Sequence, residues 1–161
     1  MNIWEKIDKF FSILINICYA GIIITVSLQI FSRAIPALKA PAWTEEASRY
    51  LMIYLVAFSV GLAIKADSFV SVDSLKLFLG AKKGAILDIV INIFLLVFFM
   101  IFAFGAIEFF KLGIPQNSIS MPIFPMSLIY FSLLILSFQV IAYLIRKEIG
   151  IISQLLNKEI Q

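Results

Sequence analysis

The chain of 161 residues contains no histidine and only one cysteine, Cys18. Without histidine there is no imidazole for general-base catalysis, metal binding or pH sensing near neutrality. A single cysteine excludes an intrachain disulfide and a thiolate metal cluster, and its place in an apolar run favours a packing role. Charged residues are also scarce, at 14% of the chain against about 25% in ordinary globular domains. We therefore predict that the chain is not an enzyme and holds no cofactor or metal.

Apolar residues take the place of the missing charges, since 62% of the chain is Ala, Val, Ile, Leu, Met, Phe, Trp, Tyr or Cys. The mean hydropathy is +1.04. A soluble domain of this size has too little interior to hide so much apolar surface. The Lys and Arg residues are scattered among long apolar runs, so a nucleic-acid partner has no support despite the net charge of +3. The sequence predicts that most of the chain lies in lipid.

Four apolar stretches are long enough to cross a bilayer as helices, which needs about 20 residues. They are too long and too continuously apolar for the strands of a membrane barrel. The first stretch is also too long for a cleaved signal peptide. The sequence predicts an all-α integral membrane protein, one membrane domain over 1–161, with transmembrane helices at about 10–31, 47–66, 87–110 and 125–145 and a short cytoplasmic tail over 146–161.

The positions of Lys and Arg predict the orientation of these spans. Nine of the 13 cations lie in the N-terminal segment, the middle loop and the C-terminal tail. Only three lie in the other two loops, with Arg49 at the rim of the second span. Cytoplasmic loops carry the excess of Lys and Arg, so both termini are expected in the cytoplasm.

The connections between the predicted spans differ in character. Residues 67–83 carry large apolar residues on one helical face, with Asp73 as a candidate N-cap and Gly80 as a candidate stop. This pattern predicts a short helix lying in the cytoplasmic interface between spans two and three. The next connection, 113–125, contains three prolines and is expected to be irregular.

Polar residues within the spans have two interpretations. Glu108 lies one turn before Lys111 near the end of the third span, so an i,i+3 ion pair reaching water is expected. As an alternative, Glu108 is the proton carrier of a small exchanger. Uncharged amides inside the spans are expected to hold helices together, and these are Asn16, Gln29, Asn92 and Gln139.

The most specific stretch precedes the second span and reads Pro41-Ala42-Trp43-Thr44-Glu45-Glu46-Ala47-Ser48-Arg49-Tyr50. Thr44 is expected to cap the helix, with Glu45 and Glu46 in its first turn, where negative charge is favoured. Arg49 has helical spacing to both acids, while Trp43 and Tyr50 suit the headgroup layer. An anchored helix start explains every residue. An exposed ion pair contributes only about 0.3–0.5 kcal/mol, however, so a partner-facing site is the second interpretation.

The chain resembles the small membrane subunit (the DctQ or SiaQ type) of the tripartite ATP-independent periplasmic (TRAP) transporters. The resemblance rests on Trp43-Thr44-Glu45-Glu46 with Arg49-Tyr50, then Gly61-Leu62-Ala63, Val70-Ser71-Val72-Asp73, and Met121-Pro122-Ile123 before Tyr130. Many members have a histidine just before the valine–x–valine–aspartate stretch, where this chain has Phe69.

The resemblance implies a subunit of a sodium-driven uptake system in the bacterial inner membrane. Its expected partners are a large membrane subunit, which holds the sodium and substrate sites, membrane lipid, and a periplasmic substrate-binding protein. The expected cargo is a carboxylate-bearing organic acid of the sialic acid or C4-dicarboxylate type. The chain itself is then a scaffold, and the segment from Trp43 to Tyr50 supports assembly or docking.

Two other functions remain open at this point. A self-sufficient small multidrug-type exchanger would work as an oligomer and would use Glu108. An accessory anchor of a redox complex is a third class, but the lack of histidine excludes the usual haem ligand.

Overall fold

The computed structural model describes residues 3–35, 41–66, 73–118 and 120–159. Its helices are α1 (Ile3–Ala34), α2 (Ala42–Lys65), α3 (Asp73–Gly113) and α4 (Ser127–Glu159). Each contains a stretch that is long and apolar enough to cross a membrane. The predicted fold class, an all-α membrane protein with four spanning helices, is confirmed.

The four helices form a row in the order α1, α2, α4, α3. Helix α2 packs on α1 and α4, and α4 also packs on α3, so within the described residues α1 and α3 are the edges. Burial follows this order, because 33% of the apolar window of α4 is buried but only 6% of that of α3. The row therefore leaves wide apolar surfaces on its edge helices, as expected of a body surrounded by lipid and other membrane helices.

The core lies where α2 crosses α4. Val60 and Ile64 of α2 are buried against Val140 and Leu144 of α4. Gly61 allows the close approach, since a Cβ added there would lie 2.5 Å from Gln139 Oε1 and 2.6 Å from the Tyr143 ring. The Gly61 amide donates a hydrogen bond to Gln139 Oε1 at 3.1 Å. A small residue thus lets two backbones meet, the usual device for helix association in lipid.

A polar cluster joins three helices at one end of the row, which we call the termini end. Asp8 of α1 is 8% exposed, and its two carboxylate oxygens accept hydrogen bonds from Lys65 Nζ of α2 and Tyr143 OH of α4, each at 2.5 Å. Trp4 packs edge-on against Tyr143, and the Arg146 guanidinium lies 4.6 Å above the Trp4 ring centre. These contacts bring the first turns of α1 beside α4. The start of α1 and the later turns of α4 therefore lie at the same end, and their placement in the cytoplasm stays a prediction.

The starts of two helices differ from the sequence predictions. Helix α2 begins at Ala42, directly after the extended residue Pro41, so the prediction that Thr44 caps it is wrong. Proline has no amide hydrogen and its fixed φ suits the entrance to a helix, so the helix begins earlier than the apolar pattern indicates. The fourth helix begins at Ser127 rather than at residue 125, because Pro125 takes part in an isolated β-bridge with Asn117.

The segment after Asp73 is helical, but Gly80 does not end it. Helix α3 runs without interruption from Asp73 to Gly113, so the predicted stop at Gly80 is wrong and the predicted short helix is continuous with the third span. At 1.5 Å per residue its 41 residues extend about 61 Å, twice the hydrocarbon thickness of a bilayer. A glycine costs only about 1 kcal/mol inside a helix, which neighbouring turns of a long helix offset. Whether its first turns lie in the interface stays a prediction.

The predicted helix–helix amides are confirmed at two positions. Gln139 joins α4 to α2 as described above, and Asn92 Nδ2 of α3 donates to Glu148 Oε2 of α4 at 3.0 Å. Asn16, by contrast, is exposed on α1 and makes no such bond within the described part of the chain.

A candidate partner-binding surface at the start of α2

The opposite end of the row, which we call the loop end, contains the start of α2 and the connection from α3 to α4. Arg49 Nη2 lies 2.5 Å from Glu45 Oε1, one helical turn earlier. The two side chains are 72% and 52% exposed. An exposed i,i+4 pair of this kind adds little stability, so both charges remain available to a partner.

Glu46 has a different environment from its neighbour Glu45. Its carboxylate accepts hydrogen bonds from Tyr50 OH at 3.1 Å and from the Ser120 amide at 2.9 Å. The Ser118 hydroxyl donates a third hydrogen bond to the same carboxylate. The expected pairing of Arg49 with both acids is therefore wrong for Glu46, which instead holds the α3–α4 connection against α2.

The connection that Glu46 holds is a tight hairpin rather than a helix. The Ser118 amide donates to the Phe124 carbonyl at 3.0 Å, and the Met126 amide donates to the Gln116 carbonyl at 2.8 Å. Because its three prolines have no amide hydrogen to donate, this stretch does not form regular helical hydrogen bonds, as predicted. The outcome is an ordered turn whose backbone is tied to the first turns of α2.

A cavity of about 450 Å³ lies between the start of α2 and this hairpin. Its charged wall contains Glu45, Glu46 and Arg49, and its apolar wall contains Ile53 and Ile129. An apolar centre with a polar rim is the ordinary composition of a protein-binding surface. We call the exposed Glu45–Arg49 pair and this cavity the α2 entry surface.

Trp43 and Thr44 lie beside this surface, the first exposed and the second buried. Trp43 is 44% exposed, as expected of an aromatic residue in the headgroup layer. Thr44 is 1% exposed, and its hydroxyl donates to the Pro41 carbonyl at 2.8 Å. The hydroxyl therefore stabilises the entry of the chain into α2 instead of capping the helix.

The other predicted site residues lie apart from the α2 entry surface. Lys111 Nζ lies 3.3 Å from Glu108 Oε1 near the end of α3, and both side chains are more than 60% exposed. This is the predicted i,i+3 pair. Asp73 is the first residue of α3, at the far end of that helix from Glu108. Phe69 and residues 70–72, part of the family resemblance, lie outside the described residues.

Sequence reasoning missed the polar cluster at the termini end and the two serines that bind Glu46. Asp8 and Lys65 are 57 positions apart, and Glu46 and Ser118 are 72 apart. Local spacing carries no signal for such pairs. An acid on the inner turns of an apolar helix, such as Asp8, is the one hint that a partner exists elsewhere in the chain.

Within the described residues, no group of three or more His, Cys, Asp or Glu side chains is placed to hold a metal ion. Four spanning helices, each with a long uncharged apolar stretch, define a small multi-pass membrane protein.

Comparison with protein families identifies that class more closely. Residues 22–153 match the family model described as tripartite ATP-independent periplasmic transporters, DctQ component. The match covers most of the chain, which therefore belongs to the DctQ family, as its motifs predict. No curated protein sequence matches the chain. The chain is thus a transporter component of the bacterial inner membrane and not an enzyme.

Proposed function

We propose that the chain is the scaffold subunit of a sodium-driven TRAP transporter for a carboxylate-bearing organic acid, of the sialic acid or C4-dicarboxylate type. Its partners in this proposal are the large membrane subunit, which holds the sodium and substrate sites, and the periplasmic substrate-binding protein. The family supports the association with a transporter. The proposal adds that this chain is the scaffold and that the large subunit carries out transport.

The placement of charge is the observation that carries this proposal. In α1 the residues between Lys9 and Arg33 include no charged side chain, and in α2 the same is true between Arg49 and Lys65. The middle of α3, from 89 to 107, and the start of α4, from 127 to 145, are also free of charge. Ion-coupled transporters place ionisable groups in the membrane along the substrate path. A chain whose apolar stretches carry no charge suits a static body better than a moving carrier.

The proposed contact with the partners is the α2 entry surface. Because Glu46 holds the hairpin in place, the exposed Glu45–Arg49 pair is presented on a rigid support beside an apolar cavity. Rigid presentation lowers the entropy that binding costs. We propose that this surface supports assembly with the large subunit or docking of the periplasmic protein.

Reconstitution in liposomes tests the division of work. The chain alone, the large subunit alone and both together are reconstituted with a sodium gradient, the periplasmic protein and radiolabelled sialic acid or succinate. Uptake is expected only when both membrane subunits are present. Flux through the isolated chain would overturn the scaffold role.

The α2 entry surface is tested separately with the double variant Glu45→Gln, Arg49→Gln. It should lower uptake or co-purification with the large subunit at least threefold. The matched control is Glu108→Gln, Lys111→Gln, which removes another exposed ion pair near the loop end. If both double variants behave like the unmodified chain, this surface is not a partner site.

The exchanger alternative lacks comparable support. It needs a carboxylate inside the membrane that alternates between binding protons and cargo. Glu108 instead lies in the last turns of α3, with its side chain exposed beside Lys111. The family match also describes a component of a larger system rather than a self-sufficient exchanger.

A further inference from the structure

Glu46 is an acid that pairs with no cation in the described part of the chain. Its carboxylate accepts hydrogen bonds from two hydroxyl groups and the Ser120 amide, and all three donors are neutral. Such bonds favour the charged form of a carboxylate. Arg49 pairs with Glu45 instead, at 2.5 Å, so the three charged side chains that line the cavity sum to −1. The charge of Glu46 is therefore held in place but not compensated.

The cavity of the α2 entry surface extends from this charge into the apolar part of the row. Ile53 lies seven residues after Glu46, two turns along the same face of α2 and about 10 Å further into the helix. Ile129 lines the cavity from α4. A single side chain that enters the cavity therefore meets apolar walls along its stem and a carboxylate at its tip.

The unused part of the carboxylate suits an ammonium group better than a guanidinium group. An ionised carboxylate has about four acceptor positions, and Glu46 already uses two on Oε1 and one on Oε2. A bidentate arginine needs a free position on each oxygen, whereas the ammonium group of lysine acts as a point charge. A metal ion would need several further oxygen ligands, but the groups bonded to Glu46 donate to it. The chemistry therefore favours a lysine.

The depth of the cavity favours a partner within the membrane over a soluble one. Ile53 lies inside the second predicted span, 47–66, and Glu46 lies just before that span. A lysine on a membrane helix places its stem along apolar side chains and its charge at the membrane surface. A soluble protein that approaches from the water would reach Glu46 first and would leave the apolar wall uncovered.

We propose that a lysine on a membrane helix of the large subunit enters this cavity. Its four-carbon stem lies against Ile53 and Ile129, and its ammonium group pairs with Glu46. The proposal rests on the proposed assembly of the chain with a large membrane subunit, and it names the chemical group that the α2 entry surface recognises. Glu46 then both holds the hairpin and binds the partner.

Crosslinking of the complete complex with a water-soluble carbodiimide tests the proposal. This reagent joins a carboxylate to a lysine amine in contact with it and forms no such bond with arginine. Mass spectrometry of the digested complex should find Glu46 joined to one lysine of the large subunit, and Glu46→Gln should abolish this product. The exposed Glu108–Lys111 pair, 3.3 Å apart, is the internal positive control. If that pair is joined but Glu46 is not, or if Glu46 is joined to the periplasmic protein, the proposal is wrong.

Charge reversal separates the proposed ion pair from the support that Glu46 gives the hairpin. Glu46→Lys should lower co-purification with the large subunit at least tenfold, because it brings two cations together. Replacing the crosslinked lysine of the large subunit by glutamate should restore co-purification to within threefold of the unmodified complex. The same replacement should not rescue Glu45→Lys, the matched control. A role in the hairpin alone cannot be rescued from another subunit, so loss without rescue would overturn the proposal.

A milder pair of changes covers the case in which Glu46→Lys does not fold. Glu46→Gln and the change of the partner lysine to glutamine are combined in a double-mutant cycle. Each change alone should lower co-purification at least fivefold, and the second should add less than twofold once the first is present. Independent effects that multiply would show that the two groups do not interact.

Two further measurements identify the source of the cation and protect the proposed function from confusion. Lys39, which lies outside the described residues, precedes α2 in the same chain. Lys39→Gln should leave co-purification unchanged, and a crosslink from Glu46 to Lys39 would overturn the proposal. Uptake that needs both membrane subunits, without the Glu46 product, would overturn the lysine contact and leave the scaffold role in place. Flux through the isolated chain would overturn the scaffold role itself.

Discussion

Gly61 provides a sharp test of how this helical row is held together. Replacing it by alanine places a Cβ 2.5 Å from Gln139 Oε1 and 2.6 Å from the Tyr143 ring. Ordinary contacts of this kind are about 3.4 Å or longer, so α2 and α4 must separate by almost 1 Å. Both neighbours are core side chains, 2% and 4% exposed, so neither can swing away into lipid.

The expected cost has two parts. Separation weakens the hydrogen bond from the Gly61 amide to Gln139, worth about 1 kcal/mol. It also strains the packing around Val60 and Val140, and overpacking of a core costs about 1–3 kcal/mol. Alanine is a better helix former than glycine by about 1 kcal/mol, which offsets part of this. We expect Gly61→Ala to lower the free energy of unfolding by about 1–3 kcal/mol.

Gly105 provides the matched control. It also lies inside a spanning helix, but a Cβ added there meets nothing within 4 Å. Gly105→Ala should therefore leave stability unchanged or raise it by up to about 1 kcal/mol. Both variants are made in a Trp43→Phe background, so that the remaining tryptophan, Trp4, reports on its contact with Tyr143. They are unfolded from detergent micelles with sodium dodecyl sulfate while the tryptophan fluorescence is followed. If Gly61→Ala were as stable as Gly105→Ala, the close contact of α2 and α4 would not hold the row together.

Three further predictions concern polar contacts. Glu46→Ala should free the hairpin and speed hydrogen exchange at the Ser120 amide, whereas Glu45→Ala should not; equal exchange would show that Glu46 does not hold it. Tyr143→Phe should cost about 1–2 kcal/mol of unfolding free energy and clearly less in an Asp8→Ala background, because its hydroxyl bonds that carboxylate; an undiminished cost would contradict the cluster. Glu108→Gln should change uptake by the reconstituted complex less than twofold, and loss of uptake would revive the exchanger.

The features predicted well from the sequence are those that depend on the solvent and on neighbouring residues. Four apolar runs of bilayer length must form helices, because lipid offers no hydrogen bonds to backbone groups that are not already paired. The Glu45–Arg49 and Glu108–Lys111 pairs follow from helical spacing alone. The start of α2 was misplaced because apolarity marks the membrane part of a helix, whereas Pro41 marks its true beginning.

Contacts between distant parts of the chain were not predictable in this way. Nothing in the sequence near Glu46 indicates that its carboxylate will accept hydrogen bonds from Ser118 and Ser120 instead of pairing with Arg49. Nothing near Asp8 indicates Lys65 or Tyr143. These pairings depend on the order of the helices in the row, and four similar apolar spans can be packed in several orders with nearly equal burial.

The amino-acid sequence by itself determined that this protein is a four-helix membrane body of the DctQ family, with no charge in the middle of any predicted span. The reason is that lipid tolerates few alternatives to an apolar helix. Only the tertiary structure decided that α4 rather than α3 lies beside α2. It also decided that Glu45 and Glu46 have different partners, and that Asp8 of α1 meets Lys65 and Tyr143 at one end of the row. Those features arise where side chains from separate helices meet, and the meeting depends on a close approach such as the one that Gly61 allows.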